Sequence, residues 1–237
     1  LVLHEQNSVA GLVNKVLAGV ADRVFTAFPK VLKDATWVGN PLRPAFTQQP
    51  EPAVRFAGRS GPLKLLVVGG SLGARALNEA VPQALALIDA AQRPQVTHQT
   101  GNANLDSVRA DYAQAQVQAE LLPFIDDMAQ RLADCDVIVC RAGAVTVSEL
   151  CAAGVPAVLV PLVVSTTSHQ RDNAQWLAGQ RAGIHLPQAE LSPKRLAEIL
   201  SGLTREALLA MANRAHALAK PKAASRVADE IERLVAA

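Results

Sequence analysis

From residue 63 to residue 218 the chain alternates short apolar runs with helix-length stretches, and this alternation constrains its fold more than any other feature. Apolar strands are expected at 65–68, 96–99, 117–122, 137–140, 156–161 and 183–186, with helices between them at about 75–91, 105–116, 126–133, 146–153 and 169–182. Repetition of strand, crossover helix and strand is the pattern of a parallel sheet wound on both faces. Strands covered on both faces require continuous apolar runs, and Leu65-Leu66-Val67-Val68 and Val137-Ile138-Val139-Cys140 are such runs. Ser192-Pro193 opens a further helix, with Pro where its missing N–H costs nothing, and 204–218 and 223–235 read as two more.

Upstream the pattern is weaker. Residues 1–3 read as a strand end, 22–28 and 36–38 as two short strands, and Ser8 as the N-cap of a helix to about residue 20 with Leu12, Val16 and Val20 on one face. The stretch 45–62, rich in Pro, Gln and Gly, reads as a linker. The expected α/β organisation is therefore a complete doubly wound, Rossmann-like domain over 44–220, the remnant of an earlier one over 1–43, and a last helix over 221–237 returning to the first. A strand end at Leu1-Val2-Leu3 with no initiator Met reads as a chain truncated upstream.

Composition narrows the function by exclusion. The formal net charge of +2, without any Lys/Arg run interleaved with aromatics, argues against nucleic acid. No apolar span reaches 18 residues and the start is not a signal peptide. The three cysteines, Cys135, Cys140 and Cys151, match no zinc spacing, and Cys140 falls in an expected buried strand, as in a reduced cytosolic protein. No Ser-His-Asp order, paired-carboxylate motif or metal cluster stands out.

The chemistry resides in the turns after the strands. Gly69-Gly70-Ser71-Leu72-Gly73-Ala74 follows one strand and opens a helix; it is neither G-x-G-x-x-G nor a P-loop. Ala142-Gly143-Ala144 follows another, with a helix expected from Thr146 and Glu149 in its first turn. Strand, small-residue loop and helix N-terminus present free N–H groups to phosphate. Thr146 and Glu149 also stand at capping-box spacing, and spacing alone leaves both readings open. His4-Glu5-Gln6-Asn7 follows the first strand end, where ligand-facing loops lie, and reads equally as a capping cluster. Arg43, between Pro41-Leu42 and Pro44, suits phosphate pairing, and His169-Gln170-Arg171-Asp172-Asn173 opens a helix where amides reach sugar hydroxyls. His98 and His185 read as structural histidines.

These segments fall in a diagnostic order. His4-Glu5-Gln6-Asn7 with Ala10-Gly11-Leu12, then Val38-Gly39-Asn40-Pro41-Leu42-Arg43, the 69–74 turn, Pro123-Phe124-Ile125-Asp126-Asp127-Met128, and Cys140 through Leu150 together closely resemble the MurG family. The resemblance implies a GT-B glycosyltransferase with two Rossmann-like domains facing a cleft. It implies inverting transfer of N-acetylglucosamine from UDP-N-acetylglucosamine to the undecaprenyl-linked lipid I acceptor, yielding lipid II, at the cytoplasmic face of the membrane and against its anionic surface. No cofactor or metal is implied. Position by position, it implies that Ile125 offers its backbone to uracil and that Glu149 holds the ribose. Ala144, Val145, Thr146, Val147 and Ser148 would present the helix start to the diphosphate, assisted by Ser71, with Arg43 nearby. Asn7 and Gln170 would touch the sugar.

Two departures stand out. The family's glycine-rich loop with its general-base His has no counterpart, since the only Gly-Gly pair is 69–70. The catalytic base is therefore expected outside these residues, and poor turnover from them alone. The segment from Val163 to Ala174 keeps an Asn-Ala pair but only one of the family's paired glutamines, and is one residue longer.

Overall fold

The computed structural model describes residues 1–162 and 168–236. A small parallel sheet holds β1 (Val2–Glu5), β2 (Arg23–Thr26) and β3 (Thr36–Trp37), in that order. A larger sheet holds β4 (Lys64–Val68), β5 (Gln95–Gln99), β6 (Glu120–Leu122), β7 (Val137–Cys140), β8 (Ala157–Leu159) and β9 (Ile184–His185). Its spatial order is β6-β5-β4-β7-β8-β9 and every pairing is parallel. Counted from β4 this is 3-2-1-4-5-6, the doubly wound dinucleotide-fold order. The winding reverses between β4 and β7, which opens a crevice at their carboxyl ends.

The helices of this unit are α4 (Arg75–Ala86), α5 (Leu105–Gln114), α6 (Met128–Asp134), α7 (Ala144–Ala153), α8 (His169–Gly179), α9 (Pro193–Ser201), α10 (Arg205–Ala217) and α11 (Ala223–Ala236). The apolar strand runs bury both faces. Leu65, Val67, Val139 and Val158 pack with Leu77 and Val81 of α4 and Leu196 of α9. Leu66, Ile138, Cys140 and Leu159 pack on the other side with Leu150 of α7 and Leu177 of α8. Ser192 and Thr204 cap α9 and α10 through their hydroxyls, accepting from the N–H groups of Arg195 and Ala207. All three cysteines are free and buried, and burial drives each thiol's pKa upward.

Two expectations change, at the first helix and at the stretch read as a linker. The first helix, α1, runs only over Leu12–Leu17 with Gly11 as its N-cap. Ser8 does not cap it, because its N–H donates to Asn173 Oδ1 (2.9 Å). The stripe of Leu12, Val16 and Val20 lies 78%, 67% and 72% exposed. The loop ahead of α1 is gathered on the buried carboxylate of Glu5, which accepts from Asn7 N–H (2.8 Å), Gly11 N–H (3.3 Å) and Asn14 Nδ2 (2.7 Å). Burial alone would raise the Glu5 pKa, but these bonds outweigh it and hold the carboxyl below its ordinary value.

The stretch read as a linker contains α2 (Pro44–Thr47) and α3 (Pro52–Phe56), each started by a proline. Phe46, Phe56 and Arg55 are buried there, Phe46 completely. Arg55 donates to the carbonyls of Leu132 (2.9 Å) and Gly154 (2.6 Å), fastening the segment beneath α6 and α7. Pro- and Gly-rich composition signals turns but does not reveal that a Phe between them is anchored. Between the last helix and the small sheet, Arg23 of β2 pairs with Glu230 of α11 (2.7 Å), and Lys220 lies over the Trp37 ring (3.8 Å).

Candidate functional site

Two turns meet at the switch point. After β4, Gly70 and Gly73 adopt positive φ (94° and 77°), which glycine takes without strain. Gly73 N–H closes the turn on the Gly70 carbonyl (2.8 Å). A Cβ at Gly73 would stand 1.9 Å from the Thr100 carbonyl oxygen, and one at Gly101 2.2 Å from that of Leu72. The β4–α4 and β5–α5 turns therefore interlock through bare backbone. Gly73→Ala is expected to cost about 1–3 kcal/mol, the scale of a strained backbone site; thermal unfolding of the variant checks this, and an unchanged Tm would mean that the turn is not fixed.

After β7, α7 starts at Ala144, two residues earlier than the sequence predicts. Its N-cap, Gly143, supplies no side-chain bond, no acid lies in the first turn, and Glu149 stands in the second. Thr146 and Glu149 thus form no capping box. The first in-helix bond is Val147 N–H to the Gly143 carbonyl (2.9 Å), so the N–H groups of Ala144, Val145 and Thr146 precede the ladder. Val147 packs into the core, and the Ser148 hydroxyl donates to Ala144 O (3.0 Å) while accepting from Asn40 Nδ2 (3.0 Å).

Between these turns lies an open cavity of about 620 Å³. Gly70, Gly73 and Arg75 line one wall, and Gly143, Thr146 and Gln170 line the other. Arg141 also faces it, held by the Val160 carbonyl (3.0 Å) and Gln188 Oε1 (2.7 Å); burial pulls its pKa down. Gln170 Oε1 accepts from the N–H groups of Ala142 (3.3 Å) and Leu162 (2.9 Å). That leaves the Gln170 amide NH₂ as its ligand-capable end. Residues 163–167, which carry part of the departure noted above, lie outside the described residues.

Glu149 is half-buried. Burial raises its carboxyl pKa above the ordinary 4.5, and the Arg43 charge partly offsets this. Arg43 itself is exposed and lies over the Phe46 ring (5.0 Å). Ser71 is exposed on the glycine turn, and Ile125 is buried in the β6–α6 loop. Asn7 comes from the other sheet but is joined to this one, since its Oδ1 accepts from Asn173 Nδ2 (3.4 Å).

Two residues to which the resemblance assigns no ligand role organise this junction. Asn173 is wholly buried and also donates to the Ala142 carbonyl (3.1 Å). Asn40 donates to the Gln6 carbonyl (3.2 Å) as well as to Ser148. A signal existed for the first: Asn173 lies three residues after Gln170, on the same helix face.

This architecture, with its glycine turn, its helix start without a side-chain cap and a half-buried acid one turn further on, is that of a doubly wound α/β domain with a phosphate-capable crevice. Residues 64–231 match the model of the glycosyltransferase family 28 C-terminal domain. The chain is 60% identical, over 99% of its length, to the UDP-N-acetylglucosamine–N-acetylmuramyl-(pentapeptide) pyrophosphoryl-undecaprenol N-acetylglucosamine transferase of Polaromonas sp. strain JS666, and spans 60% of that protein. It is likewise 60% identical to the enzyme of the same name from Verminephrobacter eiseniae, over all of this chain and 67% of the relative. The crystal structure of Acinetobacter baumannii MurG superposes with a TM-score of 0.90 at 37% identity, covering 98% of this chain and 66% of that one. The chain belongs to glycosyltransferase family 28, and its fold class is GT-B.

Proposed function

We propose that this chain carries the donor site of an inverting transferase. That enzyme moves N-acetylglucosamine from UDP-N-acetylglucosamine to the C4 hydroxyl of undecaprenyl-pyrophosphoryl-N-acetylmuramoyl-pentapeptide, converting lipid I to lipid II. The observation that carries the reading is the pair of phosphate-capable turns meeting at the β4/β7 switch point, with Glu149 one turn into α7. The sugar and the acceptor are taken from the names of the relatives.

In this reading the Ile125 backbone meets uracil, and Glu149 accepts from the ribose hydroxyls. The free N–H groups of Ala144, Val145 and Thr146 face the diphosphate, supported by Val147 and Ser148 and joined by Ser71. Arg43 adds positive charge near the donor phosphates and beside Glu149. Asn7 and the Gln170 amide NH₂ bind the sugar hydroxyls. As the anomeric bond breaks, negative charge grows on the departing UDP, and fixed N–H dipoles at a helix start stabilise that charge without having to reorganise. The reading asks for no metal and no cofactor. The acceptor hydroxyl's proton is assigned to a base outside these residues. The enzyme is placed peripherally at the cytoplasmic membrane face, and among the described residues no helix is long and apolar enough to cross a membrane.

Calorimetry on the 237-residue chain tests the reading. UDP is expected to bind, and UDP-N-acetylglucosamine more tightly than UDP-glucose. Absence of UDP binding sinks the donor site, whereas tighter binding of UDP-glucose points to a transferase of different sugar specificity.

A further inference from the structure

Behind the glycine turn the core contains a polar relay that no substrate can reach. His98, on β5, one strand in from the edge of the larger sheet, has no solvent exposure. Its Nε2 lies 3.1 Å from Asn78 Oδ1 on α4, and its Nδ1 lies 3.0 Å from the Tyr112 hydroxyl on α5. The Asn78 amide NH₂ donates to the Thr100 carbonyl (3.1 Å), the oxygen against which Gly73 is pressed. Asn104 Nδ2 bridges the same carbonyl (3.1 Å) to that of Leu72 (3.2 Å).

For a neutral imidazole the donor–acceptor chemistry leaves one arrangement. Thr100 O only accepts, so the Asn78 NH₂ must face it and the Asn78 Oδ1 must face His98. That oxygen also only accepts, so Nε2 carries the imidazole proton. Nδ1 is then bare and accepts from the Tyr112 hydroxyl. Every bond in the relay has a single allowed direction, and the relay ends on the backbone that shapes the glycine turn.

We propose that His98 is a positioning residue for the donor diphosphate: by orienting Asn78 and being oriented by Tyr112, it fixes where residues 69–74 stand. The proposal rests on the reading above only in taking the ligand to be a nucleoside diphosphate. Hydrophobic packing alone would hold α4 near the sheet but would leave the Thr100 carbonyl with Asn104 as its one side-chain donor, and so freer to turn. The relay removes that freedom before ligand arrives, so the ordering cost is met in folding rather than in binding.

Three measurements test it. Nitrogen NMR of the histidine rings is expected to show His98 as the neutral Nε2–H tautomer at pH 7 and still neutral at pH 5.5, since burial pushes its pKa down to about 4. The Nδ1–H tautomer would overturn the relay. His98→Leu is expected to lower UDP affinity about tenfold, the equivalent of one to two net hydrogen bonds. It should also speed amide exchange at Gly73 and Gly101 by a similar factor in the ligand-free chain. His98→Gln, which offers an N–H to Asn78 and a carbonyl to Tyr112, is expected to restore both.

Should His98→Leu fail to fold, Tyr112→Phe removes only the hydroxyl and is expected to produce the same two changes at about threefold. A folded His98→Leu, or Tyr112→Phe, with unchanged affinity and unchanged exchange at both glycines shows a purely structural histidine and overturns the proposal. A wild-type chain that does not bind UDP refutes the donor reading instead; the exchange comparison, made without ligand, still decides whether His98 sets the turn.

Discussion

Alanine at Asp136 is expected to destabilise the chain by about 3–5 kcal/mol, the usual cost of stripping one partner from a buried ion pair. Asp136 sits just before β7 with its side chain fully buried. One carboxylate oxygen accepts from Arg59 Nη1 (2.7 Å), and the other from Lys64 N–H (2.8 Å) and Arg205 Nη2 (3.3 Å). Both arginines also hold carbonyls, Arg59 those of Ala133 and Cys135, and Arg205 those of Ser60, Gly61 and Pro62. Removing the carboxylate leaves these guanidinium groups mutually repelling without a counter-ion and the first N–H of β4 unpaired. The α3–β4 connection, α10 and the start of β7 lose their common anchor together. Thermal unfolding is expected to shift down by roughly 10 °C for a chain of this size. Asp136→Asn, which keeps an acceptor and the shape, should lose about half as much. A Tm within 2 °C of wild type for the alanine variant would show that the arginines are held by their carbonyls alone.

Asp136 also marks where sequence reading stops. Its neighbours announce themselves by type: Val137 to Cys140 can only be a strand buried on both faces, and six such runs with helices between them yield the doubly wound sheet. An acid before a strand looks the same whether it is solvated or buried between two arginines that lie over 60 residues away in sequence. The site divides in the same way. The turns at 69–74 and 142–144 were legible because small residues after an apolar run have few other uses. The start of α7 lies two residues before the expected one, because Thr146 and Glu149 imitate a capping box while the helix opens after Gly143 with no side-chain cap. The linker reading failed because proline starts a helix as readily as it ends one, and only tertiary contact shows Phe46 and Arg55 to be anchored. His4-Glu5-Gln6-Asn7 reads equally as a ligand-facing loop and as a capping cluster, and the Glu5 carboxylate takes the second role, holding the loop that positions Asn7.

Removing the carboxylate of Glu149 is expected to weaken UDP binding about a hundredfold, because two ribose hydroxyls donating to an ionised acceptor contribute about 3 kcal/mol together. The sign of the pH dependence follows from burial. The folded-state pKa lies above 4.5, so in the free chain ionised Glu149 costs stability at neutral pH, and that cost is relieved as pH falls through the raised pKa. Binding runs the other way, since ribose hydroxyls reward the carboxylate. UDP affinity is therefore full above the raised pKa and is lost as pH drops through it, while Glu149→Gln is weak throughout and flat. Arg43 enters as the charge that partly offsets burial, so Arg43→Ala should move the midpoint of the affinity loss to higher pH. The same carboxylate separates a ligand grip from a structural role. Glu149→Gln removes a desolvated charge with no hydrogen-bonded partner of its own among the described residues, so it is expected to raise Tm slightly while weakening UDP. A residue needed to hold the helix would lower Tm and leave affinity alone. Calorimetry from pH 4.5 to 8 alongside thermal unfolding gives both readouts, and a Glu149→Ala chain that binds UDP as wild type does would remove the acid from the site.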